Sequence, residues 1–247
     1  MSVFLVDDAS TDGTGDAIKK DFPMVNVVSG TGELYWNRGM HLAWQKAIAS
    51  KQNFDQYMWL NDDVVLYNHA ISHLLACAEQ VDSKGIICGV FESEKNSNII
   101  SYGGGNLNGK VYNPNTLKTN ELQECKIING NCVLIPEYVY KAIGLIDPIF
   151  PHSLGDHDYA LRARKKGIKS YTTKELIGQC RKNPSLPKWC LPEVALTDRL
   201  KSLYSPLGNS HPYYYTIYIN RHFGFLKAIK NLISIHIRVI LPSLWKK

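Results

Sequence analysis

Val3-Phe4-Leu5-Val6-Asp7-Asp8-Ala9-Ser10-Thr11-Asp12-Gly13 opens the chain after two residues. Four apolar residues without interruption are what a parallel strand buried on both faces requires, and Asp7 and Asp8 stand where that strand ends. Ser10 to Gly13 brings turn and N-cap chemistry for a helix that carries Ala17 and Ile18. The same succession then repeats: a strand at Val25–Val28, a helix at Met40–Ser50, a strand at Tyr57–Leu60 ending in Asn61-Asp62-Asp63, a helix over 69–81 and a strand over 86–91. This alternation is the βαβ pattern and predicts an α/β protein with a mostly parallel sheet flanked by helices.

Further along, 101-SYGGGNLNGK reads as a hairpin or mobile loop, 132-CVLIP as a strand, Glu137–Ile143 as a helix, and 156-DHDYALRARKKG as the opening of another helix with Tyr159, Leu161 and Ala163 facing inward. The tail from Pro212 is aromatic, then amphipathic and basic. The 247 residues, 45% hydrophobic and 20% charged, suffice for one large α/β domain with a core of its own. We divide them into a catalytic domain over 1–210, with halves 1–100 and 101–210, and a C-terminal tail over 211–247.

The net charge of +6 lies in clusters rather than along one stripe, which argues against nucleic acid and leaves phosphorylated small molecules and anionic membrane surfaces as fitting partners. The six cysteines lack Cys-x-x-Cys spacing and several sit in apolar runs, as reduced thiols of a cytoplasmic protein would. The longest apolar stretch, 232-LISIHIRVILPSLW, is interrupted by His236, Arg238 and Pro242 and falls short of a span.

Three acidic constellations carry the chemistry. In open α/β sheets ligands bind outside the carboxyl ends of strands, where 6-VDDASTDGT and 58-MWLNDDVVL both place carboxylates. The first can accept hydrogen bonds from a nucleobase and ribose beside a helix N-terminus, or its Asp8 and Asp12 simply cap turns. In the second, oxygen side chains two residues apart at a strand end can hold a hard divalent cation that keeps positions open for diphosphate oxygens, or the acidic pair is simply a solvated turn, the commoner case for such a pair taken alone. The third, 155-GDHDYALRARKKG, sets Asp156 and Asp158 in the first turn of a helix, where the dipole alone would favour them.

Taken in this order over residues 3 to 175, the three resemble the motifs of family 2 glycosyltransferases of the GT-A (Rossmann-like) fold, and most closely bacterial rhamnosyltransferase-like members. Two flanking segments, 32-GELYWNRGMHLAW and 128-INGNCVLIPEYVYKAIGLIDPIF, resemble the family's donor-helix approach and the strand and helix before its acidic motif. His41 departs from the Asn that many relatives carry.

What the resemblance implies is an inverting transfer of a sugar from a nucleoside-diphosphate donor to an acceptor hydroxyl. Asp7, Asp8, Arg38 and Asp62 would bind the donor, Asp63 with support from Asn61 would hold Mg²⁺ or Mn²⁺, and Asp156 would be the general base. It also implies a dTDP-rhamnose or UDP-hexose donor, a glycan or lipid-linked acceptor, and surface-polysaccharide synthesis at the inner face of the cytoplasmic membrane. The tail itself, which combines Phe, Leu and Ile with Lys227, Lys230, Arg238, Lys246 and Lys247, suits a helix lying in a membrane interface as peripheral contact, with packing back on the catalytic domain as the equal alternative. Relatives begin with a further buried strand and nucleotide loop, so the chain as written is expected to be impaired. Two rivals stand beside this reading: a degenerate GT-A fold serving as a binding module, and a phosphoacceptor receiver domain built on Asp7, Asp8 and Asp62 or Asp63, which explains nothing after residue 125. His211 and His222 are read as structural, with a metal or diphosphate role as the alternative.

Overall fold

The computed structural model describes residues 1–97, 99–113, 121–182 and 186–245. Contacts divide the chain into two compact units, one formed by Met1–Lys46, Asp147–Asp158 and Pro184–Lys247, the other by Ala47–Ile146 and Tyr159–Asn183.

In the first unit, β1 (Val3–Asp7) runs parallel to β2 (Val25–Ser29), with Val3 opposite Val25 and Asp7 opposite Ser29, and α1 (Thr14–Asp21) makes the crossover. β1 is half-buried rather than buried on both faces, because β2 is its sole ladder partner among the described residues. Helix α2 (Tyr35–Ala49) begins here, five residues before the position expected from hydrophobic periodicity. The unit is completed by the first turn of α5 (Gly155–Lys165) and by helices α6 (Leu196–Leu203), α7 (Pro212–Phe223) and α8 (Phe225–Ile240). The aromatic and the basic parts of the tail form separate helices, with the chain turning between them at Gly224 (φ 94°). Trp189, Cys190, Leu203, Ile235 and Val239 form a small core there, so the tail is packed on its own neighbours along one face. Lys246 and Lys247 lie outside the described residues.

The second unit holds a seven-stranded sheet with the order β3-β8-β5-β9-β4. These are β3 (Gln56–Leu60), β4 (Val65–Leu66), β5 (Ile86–Glu92), β8 (Cys132–Pro136) and β9 (Ser170–Gln179); β6 (Ile100–Tyr102) adds to β5 and β7 (Glu124–Cys125) to β9. Strand directions are mixed. β5 and β9 are parallel, whereas β3–β8, β5–β8, β5–β6, β4–β9 and β7–β9 are antiparallel. The α/β class and flanking helices agree with the sequence; the expected prevalence of parallel pairs does not, because β8 inserts antiparallel between β3 and β5. That insertion also removes the receiver-domain rival: β5 pairs with two strands that lie beyond residue 125, so the first half of the chain is no self-contained sheet.

β5 is buried at every residue, as its unbroken apolar run dictates. Helix α3 (Ala70–Glu79) covers it with Ala70, Leu74, Cys77 and Ala78, which join Ile87, Phe91, Cys132, Leu134, Ile177 and Cys180 in the main core. Close packing here needs a residue without a side chain, since a Cβ on Gly89 would stand 2.3 Å from the Ile177 side chain. Helix α4 (Glu137–Ile143) follows β8 directly. The Gly/Asn stretch folds as a hairpin: Gly105 bridges Val111 and Ile127, and the Asn106 side-chain oxygen accepts from the amides of Asn108 and Lys110. All six cysteines are buried free thiols. Among the described residues no helix is long and apolar enough to cross a membrane.

Ile177 bridges β5 and α3 in this core and is fully buried. Ile177→Ala is expected to lower the unfolding free energy by about 2–5 kcal/mol, read from chemical denaturation; a loss under about 1 kcal/mol would show that the core around Gly89 refills the space.

Candidate active site

In the first unit the carboxylates at the end of β1 are engaged by backbone. Asp7 Oδ1 accepts from the Ser10 amide at 3.0 Å, and hydrogen bonds from the Ser10 hydroxyl and amide hold the Asp7 carboxyl below the ordinary carboxylate range. Asp12 accepts from the Thr14 hydroxyl at 2.7 Å and the Thr14 amide at 3.0 Å, closing a turn just ahead of α1, whose N-cap is Gly13, and these bonds lower its pKa in the same way. Asp8 reaches further. Its Oδ1 accepts from Gly32 N at 2.7 Å, and its Oδ2 from Leu34 N at 2.8 Å and Tyr35 N at 3.3 Å. A carboxylate from the end of β1 therefore satisfies the orphan amides at the start of α2, favoured there by both hydrogen bonding and the helix dipole.

The first turn of α2 grips residues 147–151. Asn37, fully buried, donates through Nδ2 to the carbonyls of Asp147 (2.7 Å) and Phe150 (2.6 Å), and its own amide donates to Pro151 O at 3.1 Å. Arg38, expected to face a diphosphate, donates from Nε to Pro148 O at 3.0 Å. Asn37 was missed in the sequence reading; an Asn inside a helix, where it competes poorly with straight-chain residues, was the available signal.

Asp156 opens α5, half-buried, with Oδ1 accepting from the His157 amide at 2.8 Å. His152 and Tyr218 both feel its charge. Burial pushes the His152 pKa down, against the pull of Asp156, and burial pushes the Tyr218 hydroxyl up, with Asp156 adding to it. Two residues on, Asp158 is completely buried and accepts from Arg221 Nη1 and from His222 Nε2, each at 2.8 Å. Arg221 Nη1 also lies 2.8 Å from Asp147 Oδ2. His222 is thus a buried structural partner of Asp158, in line with the structural reading of that histidine.

In the second unit β3 pairs with β8 as far as Leu60 and Cys132. The next residues extend the pair through side chains: Asn61 N donates to Asn131 O at 2.9 Å, and Asn61 Nδ2 to Asn131 Oδ1 at 3.0 Å. Asn131 in turn donates to the Cys180 sulfur at 3.1 Å. Burial raises the Cys180 pKa to about 11, with the Asp63 charge contributing, so this thiol stays protonated. Asp62 and Asp63 are exposed in the turn that follows, past the end of the strand, so the strict alternation of a pleated strand does not govern where they point. The Asn61 amide nitrogen is committed to Asn131, which makes Asn61 the residue that fixes the turn.

Among the described residues no three His, Cys, Asp or Glu side chains gather as a metal cage. Two exposed carboxylates in one turn nevertheless suit Mg²⁺ or Mn²⁺ bound chiefly by substrate oxygens and water, because hard cations of this kind take one or two protein carboxylates beside phosphates.

By sequence the chain matches no family model and no curated relative. Solved structures do match over 95% of its length: S. aureus TarS residues 1–349 (TM-score 0.50, 11% identity, 71% of that chain), GalNAc-T7 with UDP, GalNAc and Mn²⁺ (0.50, 13%, 49%), and the mannosyltransferase PcManGT from Pyrobaculum calidifontis with GDP-Man and Mn²⁺ (0.51, 13%, 64%). The fold is the GT-A glycosyltransferase fold. At these identities the likeness is one of fold, and the chain spans about half the length of GalNAc-T7 and just under two thirds of the mannosyltransferase.

Two measurements test the local geometry. A Cβ on Gly155 would stand 1.7 Å from Asn37 Oδ1, whose side chain is buried and held by two carbonyls. Gly155→Ala should therefore cost about 2–3 kcal/mol of stability; an unchanged denaturation midpoint would mean that Asn37 moves aside freely. His73, His152 and His211 all have pKa values lowered by burial, so the unfolded chain binds more protons than the folded one below the ordinary histidine pKa. Stability is expected to fall as pH drops from about 7 to about 5, and a melting temperature flat across that window would contradict it.

Proposed function

We propose that the chain is an inverting, metal-dependent glycosyltransferase that moves a sugar from a nucleoside-diphosphate donor to an acceptor hydroxyl. The observation that carries this reading is the pair of half-exposed or exposed acidic positions, Asp62-Asp63 just past β3 and Asp156 at the start of α5, on a GT-A fold. TarS, GalNAc-T7 and the mannosyltransferase share that fold, and the last two were crystallised with Mn²⁺ and a nucleotide or nucleotide sugar.

Residues 1–100 act on the donor in this proposal, residues 101–210 on the acceptor. Asp7 faces the nucleoside at the end of β1, Asp8 sets the loop that leads into α2, and Arg38 stands on the diphosphate side of that helix. Asp63 is the principal metal ligand, with Asp62 and Asn61 beside it. A bound Mg²⁺ or Mn²⁺ supplies positive charge to the leaving diphosphate.

Asp156 takes the proton of the acceptor hydroxyl as that oxygen attacks the anomeric carbon. The bond from the anomeric carbon to the diphosphate oxygen breaks as the new one forms, its electron pair leaves on the diphosphate, and configuration inverts. Burial lowers the pKa of His152 and raises that of the Tyr218 hydroxyl, so both neighbours of Asp156 favour their uncharged forms. Membership of family 2, a dTDP-rhamnose or UDP-hexose donor, a glycan or lipid-linked acceptor and a role in bacterial surface-polysaccharide synthesis at the inner face of the cytoplasmic membrane belong to the same proposal.

The test is calorimetry with UDP-, GDP- and dTDP-sugars, with and without Mn²⁺, followed by turnover. Asp63→Ala should abolish the metal-dependent part of donor binding. Asp156→Asn should keep donor binding and lose on the order of 10²–10⁴ in rate. Binding without turnover in the unaltered chain would establish a binding module instead, and no binding of any donor would overturn the proposal.

A further inference from the structure

Helix α8 buries one face and leaves another uncovered. Ala228, Ile235 and Val239 pack inward, on the side that completes the core with Leu203 and Trp189. About a third of a turn around the helix from that face, by its 3.6-residue period, runs a stripe of Leu226, Ile229, Ile233, Ile237 and Ile240. These are solvent-exposed, Leu226 to 84%, Ile233 to 55% and Ile240 to 57%.

A second stripe continues it. Leu196, Leu200 and Tyr204 recur every four residues along one side of α6 and all are exposed. The Tyr204 hydroxyl meets His236 Nε2 of α8 at 2.8 Å, and Arg199 donates to Ile240 O at 3.4 Å, so the two helices lie side by side within the same unit. Exposed apolar stripes on two neighbouring helices are the kind of clustered surface that marks an interaction site more often than scattered single residues do.

The charges beside it are of one sign. Lys230 and Arg238 line a groove of ≈ 480 Å³ with Ile233, Ser234, Ile237 and Leu244. From Pro184 onward the sequence has nine Lys and Arg against two Asp and Glu, an excess of seven where the whole chain has an excess of six, and after Phe223 it has no acid at all. A second copy docked face to face through this surface would bring like charges together, since a two-fold interface repeats the same patch on both sides. An anionic bilayer answers both halves of the surface: acyl chains for the Ile and Leu stripe, headgroup phosphates for the Lys and Arg flank.

We propose that the α6–α8 face is a membrane-surface docking site that lays α8 into the interface of an anionic lipid bilayer. It stands independently of the sugar-transfer reading, because lipid and donor binding are measured separately on the same protein.

Co-sedimentation of the full chain with phosphatidylcholine vesicles, with and without phosphatidylglycerol, is the test. Binding is expected only with phosphatidylglycerol, and it should weaken with salt. Ile233→Asp with Ile237→Asp should abolish it at unchanged circular dichroism and melting temperature, which is feasible because both side chains already face solvent. Lys227→Glu with Lys230→Glu should weaken partitioning by more than about tenfold. Absence of binding to anionic vesicles, or binding that survives both variants, would overturn the proposal. So would a dimer of the unaltered chain that fails to bind vesicles and that the Ile233→Asp, Ile237→Asp variant dissociates, which would assign the face to a second copy.

Discussion

A completely buried carboxylate, Asp158, constrains the first unit more than any other group. Removing a charge from water costs several kcal/mol unless partners replace the solvent, and Asp158 meets the donor atoms of both Arg221 and His222 at 2.8 Å. Those partners occupy the last turn of α7, so compensation of one charge fixes where that helix lies against the start of α5. Arg221 extends the linkage to Asp147, whose carbonyl accepts from Asn37 on α2. Four segments distant in sequence are thus tied through the side chains of Asp158, Arg221, His222, Asp147 and Asn37. Asp156 sits two residues before Asp158 on the same helix, so the backbone that carries the candidate base is anchored beside a group that has no access to solvent.

In the second unit the equivalent constraint is steric. β5 is enclosed by strands and α3, and two glycines admit what must pass close by: Ile177 against Gly89, and the Val65 backbone against Gly178. β9 pays for this enclosure with irregular pairing to β5. Cys88 pairs with Thr172 while Val90 pairs with Leu176, leaving Thr173 to Glu175 as a bulge. The Val90 amide, left without a backbone acceptor there, donates to the Thr173 hydroxyl at 3.0 Å.

That bulge explains what the sequence concealed. Val3–Val6, Ile86–Phe91 and Cys132–Pro136 are apolar runs with clear ends, and Glu137–Ile143 has an acidic first turn, so each is legible from the chain alone. β9 reads Ser-Tyr-Thr-Thr-Lys-Glu-Leu-Ile-Gly-Gln, a pattern without period, because Lys174 and Glu175 belong to the bulge rather than to the ladder. Helix α6 is short and mostly polar by sequence, and the entry to α2 hides behind Gly32 because Asp8, a residue 27 positions from Tyr35, supplies its cap. Strand direction was illegible for a similar reason: β8's place between β3 and β5 is a matter of long-range pairing, which local pattern does not encode. The acidic candidates Asp7, Asp8, Asp63 and Asp156 were visible as chemistry. Their backbone commitments were not, since Asp8 meets residues 24 to 27 positions away.

The distribution of charge connects these local arrangements. Outside Pro184–Lys247 the sequence has nineteen Lys and Arg against twenty Asp and Glu, so the part that carries every candidate site residue is close to neutral. The positive excess belongs to the segment that builds α6, α7 and α8. Arg221 is the member of that segment spent on buried carboxylates; Lys227 lies over the Phe223 ring, and Lys230 faces the groove on α8. Within the first unit, the surface of α8 therefore combines cationic side chains with an exposed apolar stripe, and an anionic plane would attract that surface rather than the near-neutral remainder of the sequence. Since α7 is also the helix that holds Asp158, whatever engages the surface of α8 acts one helix away from the group that sets Asp156.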